Sequence, residues 1–140
     1  PPGFVQWFLR TTRDHSVALA SRGIVVPKLG DDEVLGEGAE HYAEMCVTCH
    51  GAPGVDRGEI GQGLDPRPPR LDRGPAISDR EAAETFWIVK HGIQMTGMPA
   101  FGKTHDDEKI WAITAFVRRL HGMSPEEYAR LAGGESRGSE

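Results

Sequence analysis

The chain predicts an all-α fold, and three observations carry that prediction. Apolar residues recur at helical spacing in several separate segments. Those segments begin and end on residues that start and stop helices, such as Ser78 with Glu81 before one and Gly92 after it. Between them, Gly51, Pro53, Gly54, Gly58, Gly61, Gly63, Pro66, Pro68 and Pro69 exclude long regular elements and read as a wrapping loop.

In chain order, residues 1–30 open with an aromatic cluster of Phe4, Trp7 and Phe8 beside Val5 and Leu9. The sequence then turns polar through Arg10, Thr11, Thr12, Arg13 and Asp14, and a helix-compatible piece from Ser16 to Arg22 ends at Gly23. Ile24 to Pro27 suits an extended linker, because the residue before a proline is biased away from helix. Helix resumes near Asp31 or Asp32, either of which can cap it. Leu35, Ala39, Tyr42, Ala43 and Cys46 recur on one face of it.

After the wrapping loop, the helix capped by Ser78 carries Ala82, Ala83, Phe86, Trp87 and Val89. A glycine-rich segment from Gly92 to Gly102 contains Met95 and Met98. The strongest helix starts around Thr104 to Asp107, with acids in its first turn and Arg118 and Arg119 in its last, as the helix dipole favours. Ile110, Ile113, Val117 and Leu120 form its buried stripe, flanked by Trp111 and Phe116. Ser124 and Pro125 start a short helix through Tyr128 and Leu131, and Gly133 to Glu140 reads as disordered. The organisation is therefore an N-terminal extension over 1–30, a central domain over 31–122, and a short helix with a tail over 123–140.

The helix from Asp31 delivers Cys46, Val47, Thr48, Cys49 and His50 at its end, and these hold the only two cysteines among 140 residues. C-x-x-C-H is the attachment pattern of a c-type haem. Two thiols at that spacing can add to neighbouring vinyl groups, and the next imidazole is carried beneath the ring centre by the same helical turn. A thioredoxin-like site needs a βαβ context that the flanking sequence lacks. Structural zinc usually needs four ligands, and no second ligand pair stands at finger or ribbon spacing.

Length and charge bound the rest. A chain of 140 residues is expected to form one core. A net charge of −5 argues against a nucleic-acid partner, and haem propionates would add to the acidic side. No apolar run reaches membrane-spanning length. The absence of an initiator methionine and of a signal segment predicts a chain processed or cut from a longer one.

Over roughly residues 33–121 these residues resemble the class I c-type cytochromes, specifically the bacterial single-haem cytochrome c domains. Gly38 and Tyr42 stand eight and four residues before Cys46, where the family places a small residue and an aromatic that cross the C-terminal helix. Ile113, Phe116 and Val117 occupy the positions of the reciprocal packing, since a glycine lets two helices approach and the aromatic fills the space beside it. The run from Gly97 to Gly102 is similar to the family's distal loop. The resemblance implies three to five helices wrapped around one covalent haem, with an extra N-terminal segment and a short C-terminal helix added.

It also implies the iron ligands, His50 on the proximal side and Met98 on the distal side. Met98 has the family context and is followed by Pro99, whereas Met95 reads as a pocket-lining hydrophobe; His91 is the alternative for a second histidine ligand. The family places a proline carbonyl beside the proximal imidazole, and Pro68 and Pro69 are the candidates. The intervening segment, Gly51 to Leu71, is longer than the family's short loop, and insertion without a role is its other reading. Trp87 and Trp111 read as core, with an indole hydrogen bond to a propionate as the further role that places Trp87 among the cofactor contacts. Lys90, Arg67, Arg70 and Arg73 are candidates to compensate propionates or dock partners.

The resemblance implies a single-electron carrier rather than an enzyme, exchanging electrons with a donor and an acceptor protein in the bacterial periplasm, free or membrane-associated. The alternatives are a haem-based sensor or peroxidase-like enzyme with a displaceable Met98, in which His91 or His105 would act, and a structural subunit of a larger complex. The cluster from Phe4 to Leu9, followed by Arg10 and Arg13, resembles an interfacial belt and reads either as the flank of a membrane anchor or as an added helix packed on the domain.

Overall fold

The computed structural model describes residues 2–133 and is all-helical among them, apart from an isolated bridge between Ala52 and Val55. Seven α-helices follow in order: α1 Gly3–Ala20, α2 Asp32–Met45, α3 Val47–His50, α4 Glu59–Gly63, α5 Asp79–His91, α6 Asp107–Leu120 and α7 Pro125–Ala132. A 3₁₀ turn, Phe101–Lys103, precedes α6. Helices α2 to α6 form the central group, with α1 and α7 added at the ends. The tail expected to be disordered lies, from residue 134 onward, outside the described residues.

The helix boundaries have local causes. Ser78 Oγ accepts from the Glu81 backbone N–H while the Glu81 carboxylate accepts from the Ser78 N–H, a complete capping box that starts α5. Asp106 and Ser124 cap α6 and α7 through the backbone N–H of Lys109 and Glu127. Asp31 stands at the start of α2 without a side-chain cap bond, and the acids Asp32 and Glu33 in the first turn favour the dipole instead. In α1 the polar stretch from Arg10 to Asp14 does not interrupt the helix, because it contains no glycine or proline and its residues are tolerated in helices.

The core is the crossing of α2 over α6. Tyr42, Phe116, Ile110, Ile113, Leu120 and Thr114 are its largest fully buried side chains. A Cβ on Gly38 would fall well inside contact distance of the Ala112 carbonyl and 2.9 Å from Phe116 Cβ, so only glycine permits this approach. Tyr42 fills the adjacent space, its ring 5.3 Å from that of Phe116. Tyr128 of α7 closes the cluster edge-on to Tyr42 at 6.4 Å, so the short C-terminal helix is packed on the core. Buried Thr114 satisfies its hydroxyl on the Ile110 carbonyl at 2.9 Å.

Helix α5 lies against α6 with Phe86 stacked on Trp111 at 4.1 Å. Each end of that pair carries an ion pair, Arg118 with Asp79 at 2.7 Å and Lys90 with Asp107 at 2.8 Å. Helix α1 touches α5 but buries none of its own residues, and leaves Phe4, Trp7, Phe8, Leu9 and Leu19 exposed.

Candidate functional site

The end of α2 runs almost directly into α3, and this places both thiols and the imidazole within one turn. The Cys46 N–H donates to the Tyr42 carbonyl and the His50 N–H to the Cys46 carbonyl, each at 2.9 Å. Tyr42 Oη donates to the Gly51 carbonyl at 2.6 Å, fastening the residue after His50 to the core. Burial pushes the Tyr42 hydroxyl well above its ordinary range, so it remains a donor. Burial, and then the neighbouring Cys49, push the Cys46 thiol up to about 12. The buried Cys46 thiol is therefore held neutral.

His50 Nδ1 lies 2.7 Å from the Pro69 carbonyl oxygen. A carbonyl only accepts, so Nδ1 carries the proton and Nε2 presents a lone pair. Burial lowers the His50 pKa, and the bond to Pro69 opposes that shift. Burial thus favours the neutral imidazole while the Pro69 bond orients it, an arrangement suited to binding a metal through Nε2.

These groups open onto a cavity of about 280 Å³, walled by Met45, Leu71, Ile88, Val89, Ile113 and Val117 among others. Cys46, Cys49, His50 and Met98 all line it, as do Pro68 and Pro69. Met98 is held by its loop: its N–H donates to Thr96 Oγ1 at 3.1 Å, and its carbonyl accepts from the Ile93 N–H at 3.3 Å. Of the two candidate prolines, Pro69 supplies the carbonyl to His50.

Other expected contacts fall elsewhere. Met95 does not line the cavity and is 99% exposed, so its reading as a pocket hydrophobe is corrected; its backbone sits at φ 62°, which turns the loop tip outward. Trp87 is not among the lining residues, and its ring lies against His91 at 3.8 Å. Trp87 and His91 both belong to α5, so they meet at helical i, i+4 spacing on a face other than the one carrying Ile88 and Val89. His91 and His105 are likewise outside the lining; His105 Nδ1 is 2.8 Å from Thr104 Oγ1. Among the four candidate cations, Arg67 lines the cavity, Lys90 is paired with Asp107, and Arg70 is paired with Asp72.

Two contributions escaped the sequence. Arg13 and Asp14 of α1 reach the cavity lining, although nothing in the polar turn that holds them signals it. The segment after His50 is not a passive insertion either: the Gly58 N–H donates to the Thr48 carbonyl inside α3 at 2.9 Å, and Arg70 ties the loop together. Such ties bridge residues far apart in sequence and leave no periodic pattern.

The donor set fits a covalent haem. Two thiols, a neutral imidazole and a thioether share one apolar cavity, with Arg67 at its lining and Arg13 there paired with Asp14 at 2.7 Å. A comparison with protein families matches residues 33–117 to the family described as "Cytochrome C oxidase, cbb3-type, subunit III". Comparisons with curated proteins and with solved structures gave no match. The matched span takes in more than half of the chain, from the start of α2 through the C-x-x-C-H turn, the proline loop and the methionine loop into α6. The chain belongs to the cbb3-type cytochrome c oxidase subunit III family, as a c-type cytochrome domain with covalently bound haem.

Proposed function

We propose that this domain is a single-electron carrier whose haem iron is held between His50 Nε2 and the Met98 sulfur, with Cys46 and Cys49 as the thioether anchors. Haem-based electron transfer follows from the family; the ligand pair is supported by one observation above the others. His50, with its Nδ1 committed to Pro69, and Met98 line the same apolar cavity, while Met95, His91 and His105 do not.

The bound haem supplies a one-electron ferric/ferrous couple, which a thioether ligand biases toward the ferrous state. The chain does the rest. Pro69 orients the imidazole, the loop bonds at Thr96 and Ile93 fix the methionine, and the apolar wall keeps water from the centre. Arg67 lines the cavity and is the cation offered to propionates, whereas Arg13 is paired with Asp14.

The family description names an oxidase subunit, which supports a place in an electron-transport complex with a protein donor and a protein acceptor. Covalent haem of this kind supports a location in the bacterial periplasm. No described helix is long and apolar enough to cross a membrane. The exposed Phe4, Trp7 and Phe8 beside Arg10 support seating of α1 at a membrane interface.

Optical spectra and voltammetry of the holoprotein test this reading. The oxidised form should show the weak far-red sulfur-to-iron band, the reduced form should not take up carbon monoxide, and electron exchange should be fast and one-electron. Ready carbon monoxide binding by the wild type would move the assignment to a sensor or enzyme.

A further inference from the structure

The bond from His50 to Pro69 is closed into a ring by one arginine. Arg70 directly follows the acceptor, and its guanidinium reaches back to the backbone just beyond the donor. Arg70 Nη2 donates to the Ala52 carbonyl and Nη1 to the Val55 carbonyl, each at 2.8 Å. Ala52 is two residues after His50. The circuit therefore runs from His50 through Gly51 and Ala52, across to Arg70, back one residue to Pro69, and across to His50 again.

Asp72 fixes the fourth side. Its two carboxylate oxygens accept from Arg70 Nε at 2.9 Å and Nη2 at 2.8 Å, a bidentate arrangement that sets the plane of the guanidinium. Both side chains are only 11% exposed. Gly51 makes room for them: at φ +68° it has no Cβ, which would otherwise stand 2.8 Å from Arg70 Cζ. Two carbonyls and one carboxylate arranged in a fork match five planar N–H donors and do not match an ammonium.

We propose that Arg70 is a positioning residue for the proximal ligand, holding the Pro69 carbonyl against His50 Nδ1 and thereby setting how strongly the imidazole donates to iron. The proposal rests on His50 being that ligand. A firm Nδ1–H···O bond raises ligand basicity, and a more basic ligand favours the ferric state. Arg70 thus lowers the reduction potential without touching the haem iron.

The test uses the holoprotein with Arg70→Gln, Arg70→Lys and Asp72→Asn. In a Met98→Ala background, resonance Raman spectroscopy of the reduced protein reads the iron–imidazole stretch. With Met98 present, voltammetry reads the potential. Arg70→Gln should lower the stretching frequency and raise the potential; Asp72→Asn should do the same to a smaller extent. Arg70→Lys keeps the charge and should not restore either value. If Arg70→Gln does not fold, the lysine and asparagine variants carry the comparison. Wild-type stretch and potential combined with a lower melting temperature would reduce Arg70 to a loop clasp and overturn the proposal. An iron–imidazole stretch missing while Arg70 is intact would instead remove His50 as ligand, and the proposal with it.

Discussion

Met98 lines the apolar cavity, while Met95, three residues earlier on the same loop, is 99% exposed. Two identical side chains, both flexible thioethers, therefore stand in opposite solvents. The difference comes from the backbone: Met95 is turned out at φ 62°, whereas Met98 is held by its bonds to Thr96 and Ile93.

Replacement of each methionine should separate their roles. Met98→Ala should abolish the far-red sulfur-to-iron band, admit carbon monoxide and lower the potential, because ferrous iron loses its soft ligand. Met95→Leu should leave band and potential unchanged. The reverse result in paired absorption spectra would show that the loop presents the other sulfur.

Gly38 and Gly36 make an internal control on α2. A Cβ at Gly38 meets Ala112 and Phe116, so Gly38→Ala must force α2 and α6 apart, at a cost of about 1–3 kcal/mol. Nothing lies within 4 Å of a Cβ at Gly36, so Gly36→Ala should stabilise by up to about 1 kcal/mol through helix propensity alone. Thermal melts of the two variants should move in opposite directions. Equal shifts would mean that the close crossing contributes nothing.

The pair of Arg70 and Asp72 predicts a feature of the acid limb. The hydrogen bond from Arg70 holds the Asp72 carboxyl below its ordinary value of 3.8. A depressed carboxylate contributes stability that is fully present above the unfolded value and is lost as pH falls through the folded one. Asp72→Asn should therefore destabilise near neutral pH by about 2 kcal/mol, and the gap to wild type should narrow below about pH 4. Chemical denaturation at several pH values measures it; a gap that stays constant down to pH ~2 would show that the carboxylate is not the source.

Helix α1 should be separable from the fold. It buries none of its own residues, so a chain beginning at Ser21, which keeps buried Ser21 and core-packed Ile24 and loses only Arg13 and Asp14 from the cavity lining, should keep its covalent haem and melt within about 5 °C of the 140-residue chain. The full chain, with exposed Trp7 and Phe8 beside Arg10, should bind vesicles containing anionic lipid, and the shortened one should not. Co-sedimentation decides it. Equal binding by both chains would place the membrane contact elsewhere.

What was legible in the sequence was local or periodic. The C-x-x-C-H turn was readable because the two thiols, the imidazole and the helix that carries them are contiguous. The helices announced themselves through apolar spacing and through caps such as Ser78 with Glu81, whose partners are three residues apart. The crossing of α2 and α6 was readable through the family resemblance, which put Gly38 and Tyr42 at it, and they do meet Ala112 and Phe116. The contacts decided by tertiary structure join residues with no shared period. Pro69 rather than Pro68 faces His50 across 19 residues, Arg70 reaches back 18 residues to Ala52, and Arg13 reaches the cavity from a helix outside the core. Trp87 belongs to the same case, because whether it joins the cavity lining depends on how α5 is rotated against α6. A sequence specifies which face of a helix is apolar, but loop closure and helix rotation are set by summed contacts over the whole core, and only the folded chain fixes them.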